Sequence, residues 1–207
     1  MATLYTHQAQ NIRKTWLLMT VFLMVVVGLG LLFSQVYGDP TILYFFVIFA
    51  IVMNITSYWF SDKIVVSLAG AKPADPKNDI ELIRIVENLA ITAGLPMPKV
   101  YIVQDSAPNA FATGRDPKHS VVAVTTGLMS ILDRSELEGV IAHELAHIGN
   151  RDMLVSTVAV VLVGFISIIS DVFLRMGMWG SGSRDNDTKG GNILMIVAIV
   201  AAILAPI

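Results

Sequence analysis

A run of 24 consecutive residues without a charge, positions 15–38, constrains this chain more than any other feature in it. At about 1.5 Å of rise per residue, a helix of that length exceeds the ~30 Å hydrocarbon thickness of a bilayer. In hydrocarbon, only a helix or a closed barrel satisfies its own backbone. Arg13 and Lys14 precede the run, as basic residues precede a secretory signal. The run nevertheless outlasts a signal's apolar region of roughly 7–15 residues, and Ser34-Gln35-Val36-Tyr37-Gly38 lacks a small-x-small cleavage pattern. It reads as an uncleaved anchor. After Gly38-Asp39-Pro40, residues 40–61 add 22 more uncharged positions, with Tyr44, Tyr58 and Trp59 near the ends where interfacial aromatics settle. Residues 1–61 are therefore expected to form an N-terminal tail and a transmembrane hairpin with spans at about 15–37 and 40–61.

Charge is distributed to match. Of the 30 charged residues, 21 lie in positions 62–152, so one polar domain sits among apolar segments in a chain that is 55% hydrophobic with mean hydropathy +0.68. A net charge of −2 offers no basic face for nucleic acid, which is excluded as a partner class. The absence of cysteine excludes disulfide frameworks, thiolate metal sites and cysteine nucleophiles. Arg13 and Lys14 before the first span, no Lys or Arg in the 34–40 connection, and Lys63, Lys72 and Lys77 after the second span orient both ends of the hairpin, and the 62–152 domain, towards the cytoplasm.

A third uncharged stretch, 153–170, predicts a span at about 153–174, followed by a Gly/Ser-rich loop and a fourth apolar segment. From Ile193 that segment has 15 residues, about 22 Å of helix at ~1.5 Å per residue, and ends without a polar flank. Residues 153–207 thus read as a third span, a flexible loop and an incomplete fourth segment, in a chain expected to be truncated at its C-terminus.

Within the polar domain, Ile80, Ile83, Val86, Leu89, Ala90 and Ala93 recur at helical spacing over 78–94, with Asn78 and Glu81 resembling a capping box. Short strands are expected at 100–103, 109–113 and 120–125. Asp133 and Glu136 form another cap pair, opening a helix through at least Gly149 that, continued past Arg151, would lead straight into the third span. The fold class expected is integral membrane, mostly helical, with an α+β domain and a small sheet.

That last helix carries His143-Glu144-Leu145-Ala146-His147. Spacing i, i+4 puts both imidazoles on one helical face, where they can share one zinc. Glu144 lies about 100° around the helix, so it misses the metal and can act as general base on a water beside it. The chemistry indicated is metal-assisted amide hydrolysis. A catalytic zinc takes three protein ligands, yet Glu144 is the last glutamate in the sequence. Asp152, about 140° off the His147 face of a continuous helix, suits support of that histidine better than ligation. His7 and His119 read as exposed polar residues.

Asn109-Ala110-Phe111-Ala112-Thr113-Gly114, followed by His143-Glu144-Leu145-Ala146-His147-Ile148-Gly149-Asn150-Arg151-Asp152, resembles the HtpX family of membrane zinc metalloproteases. The similarity extends over essentially the whole chain. It implies a zincin-like catalytic domain inserted between transmembrane helices, one Zn2+ per chain, and a multi-pass protein of the bacterial inner membrane. The activity implied is endopeptidase cleavage of misfolded or damaged membrane proteins and other polypeptides, a stress-linked quality-control role in contact with the lipid bilayer. It further implies that the third ligand is a Glu on a helix beyond Ile207, so that residues 1–207 alone would be inactive, and that 109–114 is an edge strand beside the active site. Two other functions share much of the pattern: a CAAX-type processing protease, which has the same site, and a non-catalytic membrane scaffold, which would need neither metal nor Glu144.

Overall fold

The computed structural model describes residues 4–179 in two compact units. Among the described residues, one comprises 4–17 together with 58–158, and the other comprises 18–57 together with 159–179.

Helices α1 (Leu4–Tyr37) and α2 (Pro40–Trp59) form the hairpin. Gly38 ends α1 with φ +68°, a left-handed conformation open to glycine at little cost. Asp39 Oδ1 then accepts from the Thr41 amide at 2.9 Å, and Pro40 opens α2 where its missing N–H is no loss. A Cβ on Gly30 would collide with Phe46, so the glycine permits close approach of the two helices, and the Phe33 and Phe46 rings meet at 5.8 Å beside it. His7–Gln35 and Pro40–Trp59 are long and apolar enough to cross a membrane. The second expected span is slightly shorter than the uncharged run: α2 stops at Trp59, and Ser61–Leu68 forms a separate helix, α3.

The other unit is α+β. Its sheet has the order β1-β2-β4-β3, from Lys72–Pro73, Lys99–Val103, Ser120–Thr125 and Ala110–Gly114 respectively. β1 pairs antiparallel to β2 at one edge, β2 pairs parallel to β4, and β3 pairs antiparallel to β4 at the other edge. All six residues of β4 are buried, as expected of a central strand covered on both faces. Val122 and Val124 join the core formed with α4 (Ile80–Thr92) and α6 (Arg134–Asn150), while α3 packs against β3 and β4. α5 (Thr126–Ile131) begins at Thr125, whose hydroxyl caps the Leu128 amide.

The Asp133–Glu136 capping box forms in full. The Asn78 cap does not: Asp79 is the N-cap of α4, and its carboxylate reaches back to the Asp75 amide instead of into the helix. Nor does α6 continue into the helix that follows it. It ends at Asn150, Arg151 turns left-handed at φ 56°, and α7 (Asp152–Trp179) departs at 85°. Spacing alone predicts continuity here: Gly149 and Asn150 stand just before the break, yet both remain helical and it is Arg151 that turns left-handed. The helix expected at 153–174 falls within α7; the fourth apolar segment lies outside the described residues.

Two glycines give opposite expectations. At Gly114, with φ +139°, a Cβ would run into the His119 carbonyl, whereas Gly139 is an exposed position within α6 with nothing near its Cβ direction. Gly114→Ala should cost about 1–3 kcal/mol, the scale of comparable backbone strain, and Gly139→Ala should gain ~0.5–1 kcal/mol. Unfolding of the two variants in detergent, followed by circular dichroism, checks the order; the reverse order would contradict this backbone.

Candidate metal centre

α6 is amphipathic by necessity. Leu137, Ile141, Leu145 and Ile148 recur at helical spacing and are buried against α4 and the sheet. This leaves His143 exposed, with Glu144 and His147 half-buried, on the other side. The helical rise brings the two imidazoles together: Nε2 of His143 and Nε2 of His147 are 3.1 Å apart, with the ring planes at 84°. Two nitrogens bound tetrahedrally to one zinc at ~2.0–2.1 Å would lie about 3.3 Å apart. The pair therefore fits a single metal ion, and neutral imidazole is a good donor for it. Among the described residues, no third His, Cys, Asp or Glu completes a metal-holding group.

The break at Arg151 makes one contact that a continuous helix would forbid. It swings Asp152 back so that its Oδ2 lies 2.9 Å from His147 Nδ1. A carboxylate there favours the tautomer with hydrogen on Nδ1, leaving the Nε2 lone pair free. The support role expected of Asp152 thus has its geometry, through a turn that the assumption of an unbroken helix left out.

Glu144 lies beside the edge strand, and the Ala112 backbone hydrogen-bonds to its carboxylate. Burial pushes the Glu144 carboxyl above the ordinary range, against the opposing pull of His147, the Ala112 bond and His143. The Thr125 amide of β4 donates to the Asn109 carbonyl and the Asn109 amide to the Thr125 hydroxyl, so by antiparallel alternation the backbone groups of the odd positions of β3 face β4 and those of the even ones, Ala110 and Ala112, face outward. His119 is exposed, 2.8 Å from Asp116, and His7 is also exposed; neither joins the pair on α6.

Sequence reasoning missed the support at the end of α6. Its last carbonyls lack intrahelical partners, and α1 supplies two. Gln8 Nε2 donates to the Gly149 carbonyl at 2.6 Å, and Asn11 Nδ2 to that of Asn150 at 3.1 Å. The only available signal was two carboxamides three residues apart in an otherwise unremarked tail.

Residues 76–207 match the family model described as peptidase family M48. Over 209 aligned residues the chain is 44% identical to a protein named "Protease HtpX homolog" from Caldanaerobacter subterraneus, covering 99% of this chain and 70% of the relative. A protein of the same name from Pyrococcus furiosus is 50% identical over 194 residues, covering 94% of this chain and 64% of its own length. A third, from Tropheryma whipplei, is 43% identical over 204 residues, covering 99% and 69%.

The two carboxamides carry a measurable expectation. Replacing Gln8 and Asn11 together by alanine should lower stability by about 1–3 kcal/mol, from two hydrogen bonds at ~0.5–1.5 kcal/mol each. Gln10→Ala, at an exposed position of the same helix, should be neutral. An unchanged thermal midpoint in the double variant would mean that solvent satisfies these carbonyls equally well.

Proposed function

The chain belongs to peptidase family M48 and is a membrane-bound metalloprotease, and on that premise we propose that it is a zinc endopeptidase in which His143 and His147 hold the metal and Glu144 is the general base. The observation that carries this reading is the convergence of the two Nε2 atoms at 3.1 Å, with the Glu144 carboxyl acted on by both imidazoles and by the Ala112 backbone. Zinc at such a position supplies Lewis acidity towards a carbonyl oxygen and acidifies water.

The chain's own residues do the rest. Asp152 accepts from His147 Nδ1 and holds that ring in its ligating tautomer. Glu144 takes a proton from the attacking water as the oxygen bonds to the peptide carbonyl carbon. As the C–N bond breaks, Glu144 returns that proton to the departing nitrogen. A carboxyl raised by partial burial has a proton affinity nearer to neutral pH, suiting it to both transfers. The outward groups of Ala110 and Ala112 would pair with an extended substrate backbone by strand addition. Recognition through backbone reads little side-chain identity, which supports misfolded or damaged membrane proteins as the substrate class and the cell membrane as the working location. We propose that the third ligand is a glutamate beyond Ile207, since no glutamate follows Glu144 and the chain covers 70% of the length of a long relative. Residues 1–207 by themselves would then be inactive.

In the full-length protein, Glu144→Gln should retain zinc and lose activity ~10²- to 10⁴-fold. His143→Ala should lose the metal, and Asp152→Asn should weaken zinc binding by about 10- to 100-fold. Zinc content and peptide hydrolysis measured side by side decide these: full turnover by a zinc-loaded Gln variant would remove Glu144 from the role.

The basic flanks also support a cytoplasmic catalytic domain. Because the chain has no cysteine, single cysteines at Tyr37 and at exposed Lys77 can be probed in intact cells with a membrane-impermeant thiol reagent. Tyr37→Cys should react and Lys77→Cys should not; the opposite pattern would invert the topology.

A further inference from the structure

A cavity of about 440 Å³ on the α+β unit is lined by three cations, Arg115, Lys118 and Arg151, and by the rings of Trp16 and Tyr58. It contains a single carboxylate, Asp116, whose oxygens are already occupied. Oδ1 accepts from the Lys118 amide at 2.9 Å and the His119 amide at 3.0 Å, and His119 Nδ1 and Arg115 Nε lie 2.8 and 3.4 Å from the carboxylate oxygens. The positive charge is thus in excess, three side chains against one.

Two of the cations have unused donors. Arg151 Nε is buried and has no hydrogen-bond partner, a state that ordinarily costs about 1–3 kcal/mol for a buried polar group. The exposed Lys118 ammonium has no partner among the described residues. Arg115 is anchored by Nη1 donating to the Trp59 carbonyl at 3.3 Å, which ties the basic cluster to the last residue of α2.

The apolar wall gives the location. Trp16 and Tyr58 stack with ring centroids 6.2 Å apart. Trp16 is the second residue of the uncharged 15–38 run and Tyr58 the second-last residue of α2, so both stand where a span meets its headgroup layer. An indole and a phenol beside guanidinium and ammonium groups at that level suit a ligand with an anionic head and an apolar continuation. A soluble anion would use only the basic half.

We propose that this cavity is a binding site for the phosphate of an anionic phospholipid headgroup, gripped by Arg151, Lys118 and Arg115 with its glycerol end against Trp16 and Tyr58. The site is separate from the His143/His147 pair and does not depend on the assignment of the metal.

The full chain purified in detergent is titrated with dioleoylphosphatidylglycerol or dioleoylphosphatidylcholine, and lipid retention is read by native mass spectrometry. The phosphatidylglycerol should be retained at least about fivefold more strongly, the size of one basic side chain's attraction to an anionic surface. Arg151→Gln and Lys118→Gln should each lower that preference about fivefold, with circular dichroism confirming the fold. Should Arg151→Gln fail to fold, the exposed Lys118→Gln decides alone. Equal retention of the two lipids by the unmodified chain, or an undiminished preference in Lys118→Gln, would overturn the proposal. Displacement of the phosphatidylglycerol by excess inorganic phosphate would overturn the lipid source and assign the cavity to a free anion.

Discussion

The structure around the site depends on one packing interaction, the burial of Leu137, Ile141, Leu145 and Ile148 on α6 against α4 and β4. At ~1.5–3 kcal/mol per fully buried aliphatic side chain, four such residues contribute on the order of 6–12 kcal/mol, an upper figure comparable with the net stability of a typical domain. That burial rules out any rotation of α6, because turning it would expose the apolar face. His143, Glu144 and His147 are thereby held outward as a set, and their relative placement is as rigid as the core beneath them. The Asp133–Glu136 box fixes where the helix begins, so the turn on which each site residue stands is fixed too.

The other end of α6 is where local rules and global fold part company. A helix that simply continued would keep Asp152 away from His147. The left-handed turn at Arg151 breaks the helix, and the His147–Asp152 contact forms because of it. A non-glycine residue at positive φ is uncommon and is sustained by surrounding contacts. Here Gln8 and Asn11 supply some of them by holding the two carbonyls just before the turn. The first turns of α1 are therefore part of what positions the site helix, as well as the lead-in to a span.

β3 contributes through its position in the sheet rather than its composition. It is joined to β4 on one side only, and its free side carries the Ala112 group that reaches Glu144. The methyl groups of Ala110 and Ala112 pack against the core, so they anchor the face of the strand. Thr113, on the face away from the core, is buried and bonds to Thr157 of α7 at 3.0 Å, which fixes the end of the strand. Open edges are usually blunted in proteins; one left accessible beside a carboxylate and two imidazoles is consistent with a surface that handles polypeptide.

The sequence by itself determined the two apolar helices, the start of α6 and the one-turn spacing of His143 and His147, because each is a property of a short segment: uninterrupted hydropathy, a cap three residues from its partner, a period of 3.6. It also pointed to β2, β3 and β4 to within a residue or so, through β-branched runs between turn signals. Two-residue β1 and the short α3 and α5 carry too few positions for a period to register. The tertiary structure alone decided the rest. Whether Asp152 could reach His147 turned on a bend at Arg151, a residue with no local preference for a left-handed turn, and the partner of Gly149 was a glutamine 141 positions away. The same holds for the choice of β3 as the edge and for the gathering of Arg115, Lys118 and Arg151 around one cavity. Contacts of that kind depend on how the elements pack, and packing is set by the summed burial of the whole core rather than by any window of the chain.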